Sequence, residues 1–375
     1  MYSVENGKKS DEVLVVNLRS DTFTKPSREM RQAMFDAEVG DDVCEEDPTV
    51  KRLQEYAAEL LGKEAALYVP SGSMGNLIAM MVHCDQRGCE MYLGEDCHII
   101  QHEQGTAAQI AGVTISPVPN NPDGTFDLKI IKRRLRNSKN VHHPISRLIA
   151  IENTLNGKIL PLKWINEVVE FGKKNNLKVH MDGARLWNAA IGSNTCVKDI
   201  VRGLDSVTFC LSKGLGAPVG SVLCGSSKFI LSARRCRKAL GGGMRQVGVL
   251  AAAGLVALDN RSRLHKDHEK ATAMMKAINE MNSKVINVDV ATVQTNMVFV
   301  NVNSSSNIDA EKVVQRLGAV IDDHVDDKVI VKAWAEWEGC LRLVFHLDIS
   351  DEMLDAAIKK FKYVIAQFDS AVKNQ

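Results

Sequence analysis

Residues 178–190 read KVHMDGARLWNAA, and this stretch decides the predicted fold. A run of apolar residues typical of a buried strand ends on Asp182, and glycine follows at once. A second such run ends just before Lys213. The interval between these two residues is about thirty residues, the length of one crossover between parallel strands. Asp182 and Lys213 are therefore expected at the same edge of a sheet, where open α/β sheets bind their ligands.

Short apolar runs alternate with helical stretches on both sides of this segment. The strand candidates are 65–69, 90–93, 113–118, 147–152, 177–182, 205–211 and 221–224. The helix candidates are 74–84, 99–111, 127–137, 161–175, 227–239 and 245–259, after two earlier helices that begin near Ser27 and at Pro48. This alternation predicts an α/β domain with a mainly parallel central sheet and helices on both faces.

The charge density rises beyond about residue 260, where the chain reads RSRLHKDHEK. The pattern after that point predicts a strand (295–302), a helix (308–317), two strands (328–334 and 340–346) and a last helix (351–368). We therefore predict an N-terminal arm (1–25), a large ligand-binding domain (26–260) and a small C-terminal α+β domain (261–375).

The composition excludes several classes of protein. The chain has 375 residues, of which 45% are apolar and 25% charged, as in ordinary globular proteins. Its net charge of +1 gives no electrostatic reason to expect nucleic acid or a membrane as partner. No apolar run has the length of a transmembrane helix, and MYSVENGKKSDE has no signal-peptide core.

The nine cysteines follow no regular framework, which is typical of reduced thiols in the cytoplasm. One group of possible metal ligands consists of His83, Cys84, Cys89, Cys97 and His98. Their spacings fit no familiar zinc site, so no metal is predicted.

A turn rich in small residues, VPSGSMGNL, covers residues 69–77 between a strand candidate and an apolar helix. Small residues allow backbone N–H groups to point into one space in front of a helix N-terminus, an arrangement that suits phosphate. The turn has neither GxGxxG nor a following GK[ST], so it is neither a dinucleotide fingerprint nor a Walker loop. A tight turn without a ligand explains this stretch equally well.

Lys213 stands in LSKGLGAPVGS, residues 211–221, where an apolar run gives way to small residues. It is either a solvated lysine at a turn or a lysine held in a cavity to meet a carbonyl compound. Asp182 either pairs with a ring nitrogen and keeps it protonated, or forms an ordinary ion pair with Arg185. Together the phosphate turn, the aspartate and the lysine match the phosphate, pyridine nitrogen and aldehyde of pyridoxal 5′-phosphate.

The chain resembles the low-specificity L-threonine aldolases, which are fold-type I pyridoxal-phosphate enzymes, from about residue 14 to its C-terminus. The motifs that carry the resemblance are LRSDTFTKP (18–26), GDDV (40–43), EDPT (46–49), SGSMGN (71–76), HMDGAR (180–185), CLSKGLGAPVGS (210–221) and GGGMRQ (241–246). The resemblance implies retro-aldol cleavage of L-threonine or L-allo-threonine to glycine and acetaldehyde. It also implies a homotetramer with an amino acid as its small-molecule substrate.

The resemblance further implies roles for individual residues. Lys213 would form the Schiff base with the cofactor, and Asp182 would pair with its pyridinium nitrogen. His98 would stack on the ring with support from Glu103, although His98 taken alone is equally a core histidine. The residues implied to contact the cofactor are Gly72, Ser73, His98, Asp182, Arg185, Lys213 and Arg245, the last from a neighbouring subunit. Those implied to hold the substrate carboxylate are Ser20, Arg185 and Arg342.

Two segments depart from the family pattern. In ENTLN, residues 152–156, Leu155 replaces a histidine and can neither donate nor accept a hydrogen bond to the substrate's β-hydroxyl. In GDDVCEEDPT, Cys44 and Glu45 replace Tyr-Gly. Neither change touches cofactor attachment, but both bear on rate and on the preference between threonine diastereomers.

Two other functions remain open at this stage. One is another pyridoxal-phosphate lyase or an aminotransferase that acts on a different β-hydroxy amino acid. The other is a cofactor-binding protein without turnover, for which Leu155 is the best support. The retained Lys213, Asp182 and Arg342 argue against that second alternative.

Overall fold

A computed structural model of the chain describes residues 13–303, 308–320 and 328–373. It contains two compact units. The large unit is Thr24–His265, and the small unit joins residues 13–23 to the chain from Lys266 onward. Within the described ranges, no helix combines the length and the apolar character needed to cross a bilayer.

The elements are numbered along the described chain. The strands are β1 (Leu14–Asn17), β2 (Ala65–Val69), β3 (Cys89–Gly94), β4 (Thr114–Val118), β5 (Ile145–Glu152), β6 (Lys178–Asp182), β7 (Ser206–Cys210), β8 (Ser221–Gly225), β9 (Ile286–Val288), β10 (Met297–Val302), β11 (Val329–Lys332), β12 (Trp334–Trp337) and β13 (Cys340–Val344). The helices are α1 (Arg28–Phe35), α2 (Pro48–Leu61), α3 (Gly72–His83), α4 (His98–Gln101), α5 (Thr106–Gln109), α6 (Leu128–Arg134), α7 (Leu162–Lys174), α8 (Leu186–Gly192), α9 (Val197–Ile200), α10 (Ser227–Ala239), α11 (Gly248–Asp259), α12 (Leu264–Asn279), α13 (Ala310–Leu317) and α14 (Asp351–Lys373).

The large unit is built on a seven-stranded sheet with the order β2-β8-β7-β6-β5-β3-β4. β8 runs antiparallel to β2 and β7, and the other neighbouring strands pair in parallel. Successive residues of β3 face opposite sides of the sheet. Tyr92 packs in the apolar cluster that includes α2 and α7, whereas Met91 and Leu93 pack in the cluster that includes α3. Helices therefore cover both faces, and the predicted fold class is confirmed.

The predicted strands of the large unit agree closely with the observed ones, but one predicted helix is wrong. Residues 99–111 form two short helices, α4 and α5, rather than one. The chain between them adopts positive φ at Gln104 (55°) and Gly105 (65°), which an α-helix cannot accommodate. Between β6 and β7, where the crossover length predicts a helix, the chain forms two short helices, α8 and α9.

The small unit contains a four-stranded antiparallel sheet, β12-β13-β10-β9, and a two-stranded parallel sheet, β1-β11. Its core joins Val16 of β1 to Val298 of β10 and Phe361 of α14. The sequence did not predict β9, which has three residues, or β12, whose side chains are half-buried or exposed. Neither strand carries the apolar run on which such predictions depend.

The departure at Glu45 falls on a left-handed turn. Residues Asp42–Cys44 form one turn of 3-10 helix, and Glu45 follows with φ of 60° and ψ of 36°. This conformation costs a residue with a side chain about 1–2 kcal/mol, whereas glycine adopts it freely. Glycine, which the resemblance implies at this position, is therefore the residue that the turn favours.

Candidate functional site

The first residues of α3 lie directly against β7. A Cβ atom added to Gly72 would lie 2.9 Å from Cys210 Sγ, and one added to Gly75 would lie 2.6 Å from Thr208 Cγ2. Both glycines therefore allow a helix to approach the strand more closely than any other residue would. As a result, the N-terminus of α3 sits beside the end of the strand that leads to Lys213.

The N-terminus of α3 has the features of an anion site. Ser71 caps the helix, with its hydroxyl accepting the Met74 N–H at 3.2 Å. Gly72 and Ser73 occupy the first turn and are half-buried. First-turn N–H groups have no partner within their own helix, and the helix dipole favours a negative charge in front of them.

Asp182 is the last residue of β6 and is 2% exposed. Its Oδ1 accepts the Ala184 N–H at 3.0 Å, and its Oδ2 accepts the Asn76 side-chain amide at 2.8 Å. Asp182 forms no salt bridge with a lysine or arginine of the described ranges. A buried carboxylate held only by neutral donors is stabilised by a cationic ligand group placed against it.

His98 and Glu103 form a pair next to Asp182. His98 Nδ1 lies 3.0 Å from Glu103 Oε1, and Glu103 is 3% exposed. One ligand-type atom from each of His98, Glu103 and Asp182 lies within 4.8 Å of the others. The hydrogen bond to Glu103 raises the pKa of His98 above its ordinary value, and the Asp182 charge adds to this effect, while burial and Lys213 oppose it.

Lys213 stands three residues beyond β7 and is half-buried. Its carbonyl oxygen accepts the Gly216 N–H at 2.8 Å and the Thr24 hydroxyl at 3.3 Å, which holds the loop in place. The positive charge of Lys213 opposes the rise in the pKa of both His98 and Glu152. These facts favour a lysine within the charged cluster over a solvated lysine at a turn.

The prediction from the sequence missed two residues of this cluster. Glu152, at the end of β5, accepts the His98 backbone N–H at 2.7 Å, and burial beside Asp182 raises the pKa of Glu152 to about 8. Asn76 donates to Asp182 Oδ2 and, at 2.9 Å, to Glu103 Oε1. Both residues could have been found from a single signal, a polar side chain in an otherwise apolar strand or helix, because such a group must have partners.

The other predicted site residues have the following surroundings in the described chain. Arg185 is half-buried at the start of α8. The Arg245 side chain is 60% exposed and pairs with Asp41 at 2.5 Å. Ser20 and Arg342 belong to the small unit. There the Ser20 hydroxyl accepts the Thr22 N–H, and Arg342 Nη1 lies 2.8 Å from Glu336 Oε1.

Leu155 is 5% exposed and packs in the apolar cluster that contains Leu93 and Cys97. A Cβ atom added to Gly124 would lie 3.4 Å from Leu155 Cβ. Leu155, at the position where the resemblance implies a histidine, is thus largely buried in a cluster that includes Cys97, the residue before His98.

One buried histidine, His180, and one half-buried histidine, His83, make stability depend on pH. Burial lowers the pKa of His180 to about 4 and that of His83 to about 3, below the value of about 6.5 in an unfolded chain. Below about pH 6.5 the unfolded chain therefore binds more protons than the folded one. The free energy of unfolding should fall as the pH drops from about 6.5 to about 4, by up to about 1.4 kcal/mol per pH unit for each histidine.

Urea unfolding at several pH values measures this dependence. His180→Gln, which cannot take up the proton, should show a shallower slope than the unmodified chain between about pH 6.5 and about pH 4. Equal slopes would mean that His180 is not held neutral in the folded state.

Comparison with known proteins identifies the family. The beta-eliminating lyase family model matches residues 17–304. Low-specificity L-threonine aldolase 1 of Arabidopsis thaliana is 50% identical over 307 residues, which cover 80% of this chain and 85% of that protein. The low specificity L-threonine aldolase of Escherichia coli strain K12 is 40% identical over 355 residues, which cover 94% of this chain and 100% of that protein.

A solved structure of Leishmania major threonine aldolase has the same fold, with a TM-score of 0.76 at 18% identity over 93% of this chain and 99% of that one. The residues that the family model matches, 17–304, include the turn before α3, the strand that ends on Asp182 and the loop that carries Lys213. The chain therefore belongs to the beta-eliminating lyase family, in the group of the low-specificity L-threonine aldolases.

Proposed function

We propose that the protein is a pyridoxal-phosphate-dependent aldolase, a carbon–carbon lyase that cleaves L-threonine, L-allo-threonine or both to glycine and acetaldehyde. The observation that carries the proposal is the cluster of His98, Glu103 and Asp182, beside the strand that leads to the half-buried Lys213. The chain's membership of the aldolase family, with relatives at 40% and 50% identity, supports the same reaction. The nine cysteines follow no disulfide framework, which supports a cytoplasmic location for the protein.

The residues present fit pyridoxal phosphate. Asp182 is a buried carboxylate without a lysine or arginine partner in the described ranges, as a protonated ring nitrogen requires. Gly72 and Ser73 offer first-turn N–H groups to a phosphate. Lys213 would hold the cofactor through its aldehyde carbon, since an amine is the nucleophile for that group.

Cleavage of the Cα–Cβ bond leaves an electron pair on Cα, and the bound cofactor supplies the electron sink for it. Asp182 would keep the ring nitrogen protonated, and this would deepen that sink. Ser20, Arg185 and Arg342 would hold the substrate carboxylate, and Arg245 would reach the phosphate from a neighbouring subunit; the family resemblance supports these four assignments.

The reaction also needs a base that removes the β-hydroxyl proton. His98 is the candidate, because Glu103 accepts its Nδ1–H and leaves Nε2 as the nitrogen that can accept a proton. The hydrogen bond to Glu103 raises the pKa of His98 against the opposing effects of burial and Lys213, and this makes the imidazole a stronger base.

Acetaldehyde release tests the proposed function. Purified protein supplied with pyridoxal phosphate should release acetaldehyde and glycine in equal amounts from L-threonine or L-allo-threonine. An aminotransferase, when also supplied with a 2-oxo acid as amino acceptor, would consume the amino acid without releasing acetaldehyde. Cofactor binding with no acetaldehyde from either diastereomer would contradict the proposed reaction and leave a lyase for another β-hydroxy amino acid or a protein without turnover.

Leu155 should bias the enzyme between the two diastereomers. An apolar side chain favours a substrate that points its methyl group there and its hydroxyl away. We expect a higher kcat/KM for L-allo-threonine than for L-threonine. Leu155→His should shift the ratio of these two kcat/KM values about tenfold toward L-threonine, or by about 1.4 kcal/mol, so that the preference narrows or inverts. Leu155→Met is the matched control, since methionine adds no strong donor or acceptor. A ratio that stays the same in Leu155→His would show that residue 155 does not act on the hydroxyl.

The enzyme should be a homo-oligomer, a tetramer of paired dimers whose sites take Arg245 from a neighbouring subunit. Arg245 is largely exposed and pairs with Asp41 of its own chain, so it is available at the surface. Sedimentation velocity in the presence of the cofactor should give the mass of a tetramer. A fully active monomer would contradict the sharing of Arg245.

A further inference from the structure

A series of buried hydrogen bonds leads from the site into the interior of the large unit. Asn76 Oδ1 lies 3.1 Å from His180 Nε2, and His180 Nδ1 lies 2.8 Å from Ser206 Oγ. Ser206 Oγ lies 2.7 Å from His83 Nε2, and the His83 ring stacks on Phe229 at 4.7 Å between centroids. Asn76 is 1% exposed, and His180 and Ser206 are fully buried. We call Asn76, His180, Ser206 and His83 the buried polar chain.

The direction of these hydrogen bonds follows from the donors and acceptors available. The amide nitrogen of Asn76 gives its two protons to Asp182 and Glu103, so Asn76 Oδ1 is an acceptor. His180 Nε2 must then carry the proton. The His180 ring is neutral, because burial lowers its pKa to about 4, so its Nδ1 accepts the Ser206 hydroxyl proton. Ser206 Oγ in turn accepts from His83 Nε2–H.

We propose that Asn76 is a positioning residue that couples the two sides of the cofactor site. Its single amide group orients Asp182, the proposed partner of the ring nitrogen, and Glu103, the partner of His98. The rest of the buried polar chain holds that amide in the required orientation. The inference rests on the proposed function, because Asp182 and His98 act on the cofactor only if the protein binds it. The test measures cofactor binding alone and does not depend on turnover.

The position of Asn76 supports a specific role rather than a role in folding. It stands in α3 between Gly75 and Leu77, and the residues from Leu77 to Val82 are all apolar. An apolar residue would pack at this buried position without the cost of burying an amide. The amide is also the one described side-chain donor to Asp182, so no other side chain of the described ranges replaces it.

The test compares two variants that each lose a buried side-chain hydrogen bond. Asn76→Leu removes the donors to Asp182 and Glu103. Gln54→Leu is the matched control, because Gln54 is 8% exposed and its Oε1 accepts the Tyr68 N–H at 2.9 Å, outside the buried polar chain. Absorbance titration of the cofactor-free protein with pyridoxal phosphate gives Kd, and urea unfolding shows that each variant is folded.

We expect Asn76→Leu to raise Kd about tenfold or more and Gln54→Leu to raise it less than about twofold, at a similar loss of stability. In an Asp182→Ala background the effect of Asn76→Leu on Kd should shrink, because the residue acts through Asp182. Equal changes in Kd for the two leucine variants, or full additivity with Asp182→Ala, would overturn the inference while the proposed function stands.

A second variant and a spectroscopic signature cover the case in which Asn76→Leu does not fold. Ser206→Ala removes the hydroxyl that fixes His180 and should raise Kd about threefold, whereas an unchanged Kd would overturn the role of the buried polar chain. Nitrogen-15 NMR of histidine-labelled protein should show His180 as the Nε2–H tautomer. The Nδ1–H tautomer would contradict the direction of the hydrogen bonds.

Discussion

Replacing Lys213 by alanine should abolish the visible absorbance of the bound cofactor and lower kcat for acetaldehyde release by at least about a thousandfold, or about 4 kcal/mol in the barrier. Lys213 is a half-buried lysine whose charge acts on His98 and Glu152. Alanine removes the only amine that the loop 211–221 contains. Spectra and initial rates at saturating cofactor measure both effects.

Lys63→Ala is the matched control for that variant. Lys63 is also partly buried, and its ammonium group donates to the carbonyl oxygens of Val201 (2.9 Å) and Leu204 (2.6 Å). This control should lower stability but leave the absorbance and kcat within about twofold of the unmodified enzyme. An unchanged spectrum in folded Lys213→Ala would remove Lys213 from its proposed role.

Asp182→Asn should still bind the cofactor but lose most of its activity, by about a hundredfold or more in kcat, which corresponds to about 2.7 kcal/mol. The amide can donate a hydrogen bond to the ring nitrogen, but it has no charge with which to stabilise the protonated form. Because Asp182 is 2% exposed, solvent water cannot reach this position to stabilise the protonated ring nitrogen in place of the carboxylate. Steady-state kinetics with both diastereomers measures the loss.

Asp47→Asn is the control for the loss of a buried carboxylate. Asp47 is 1% exposed and caps α2 by accepting the Thr49 and Val50 N–H groups. This variant should be less stable but, where folded, should keep its kcat. Near-normal turnover in Asp182→Asn would show that Asp182 has a structural role only.

The sequence predicted the strands of the central sheet well, because buried parallel strands are short apolar runs between turn residues. It did not predict that β8 runs antiparallel, since its composition, SVLCG, is the same in either direction. The error at residues 99–111 has a different cause. Apolar spacing continues across Gln104 and Gly105, but the backbone there is left-handed.

The candidate site was only partly predictable. The crossover length brought Asp182 and Lys213 to one edge of the sheet, and the family resemblance supplied His98 and Glu103. Contacts between side chains depend on packing that no motif records, so Asn76 and Glu152 emerged only from the structure. Both residues are nevertheless polar side chains within apolar elements, and this pattern can be recognised from the sequence alone.

Locating the cofactor on the chain tests the central claim most directly. The purified enzyme is saturated with pyridoxal phosphate, reduced with borohydride, digested and analysed by peptide mass spectrometry. The account predicts one stoichiometric phosphopyridoxyl group on Lys213, absent from Lys213→Ala and unchanged in Lys63→Ala. A stoichiometric group on another lysine, or none at all, would contradict it.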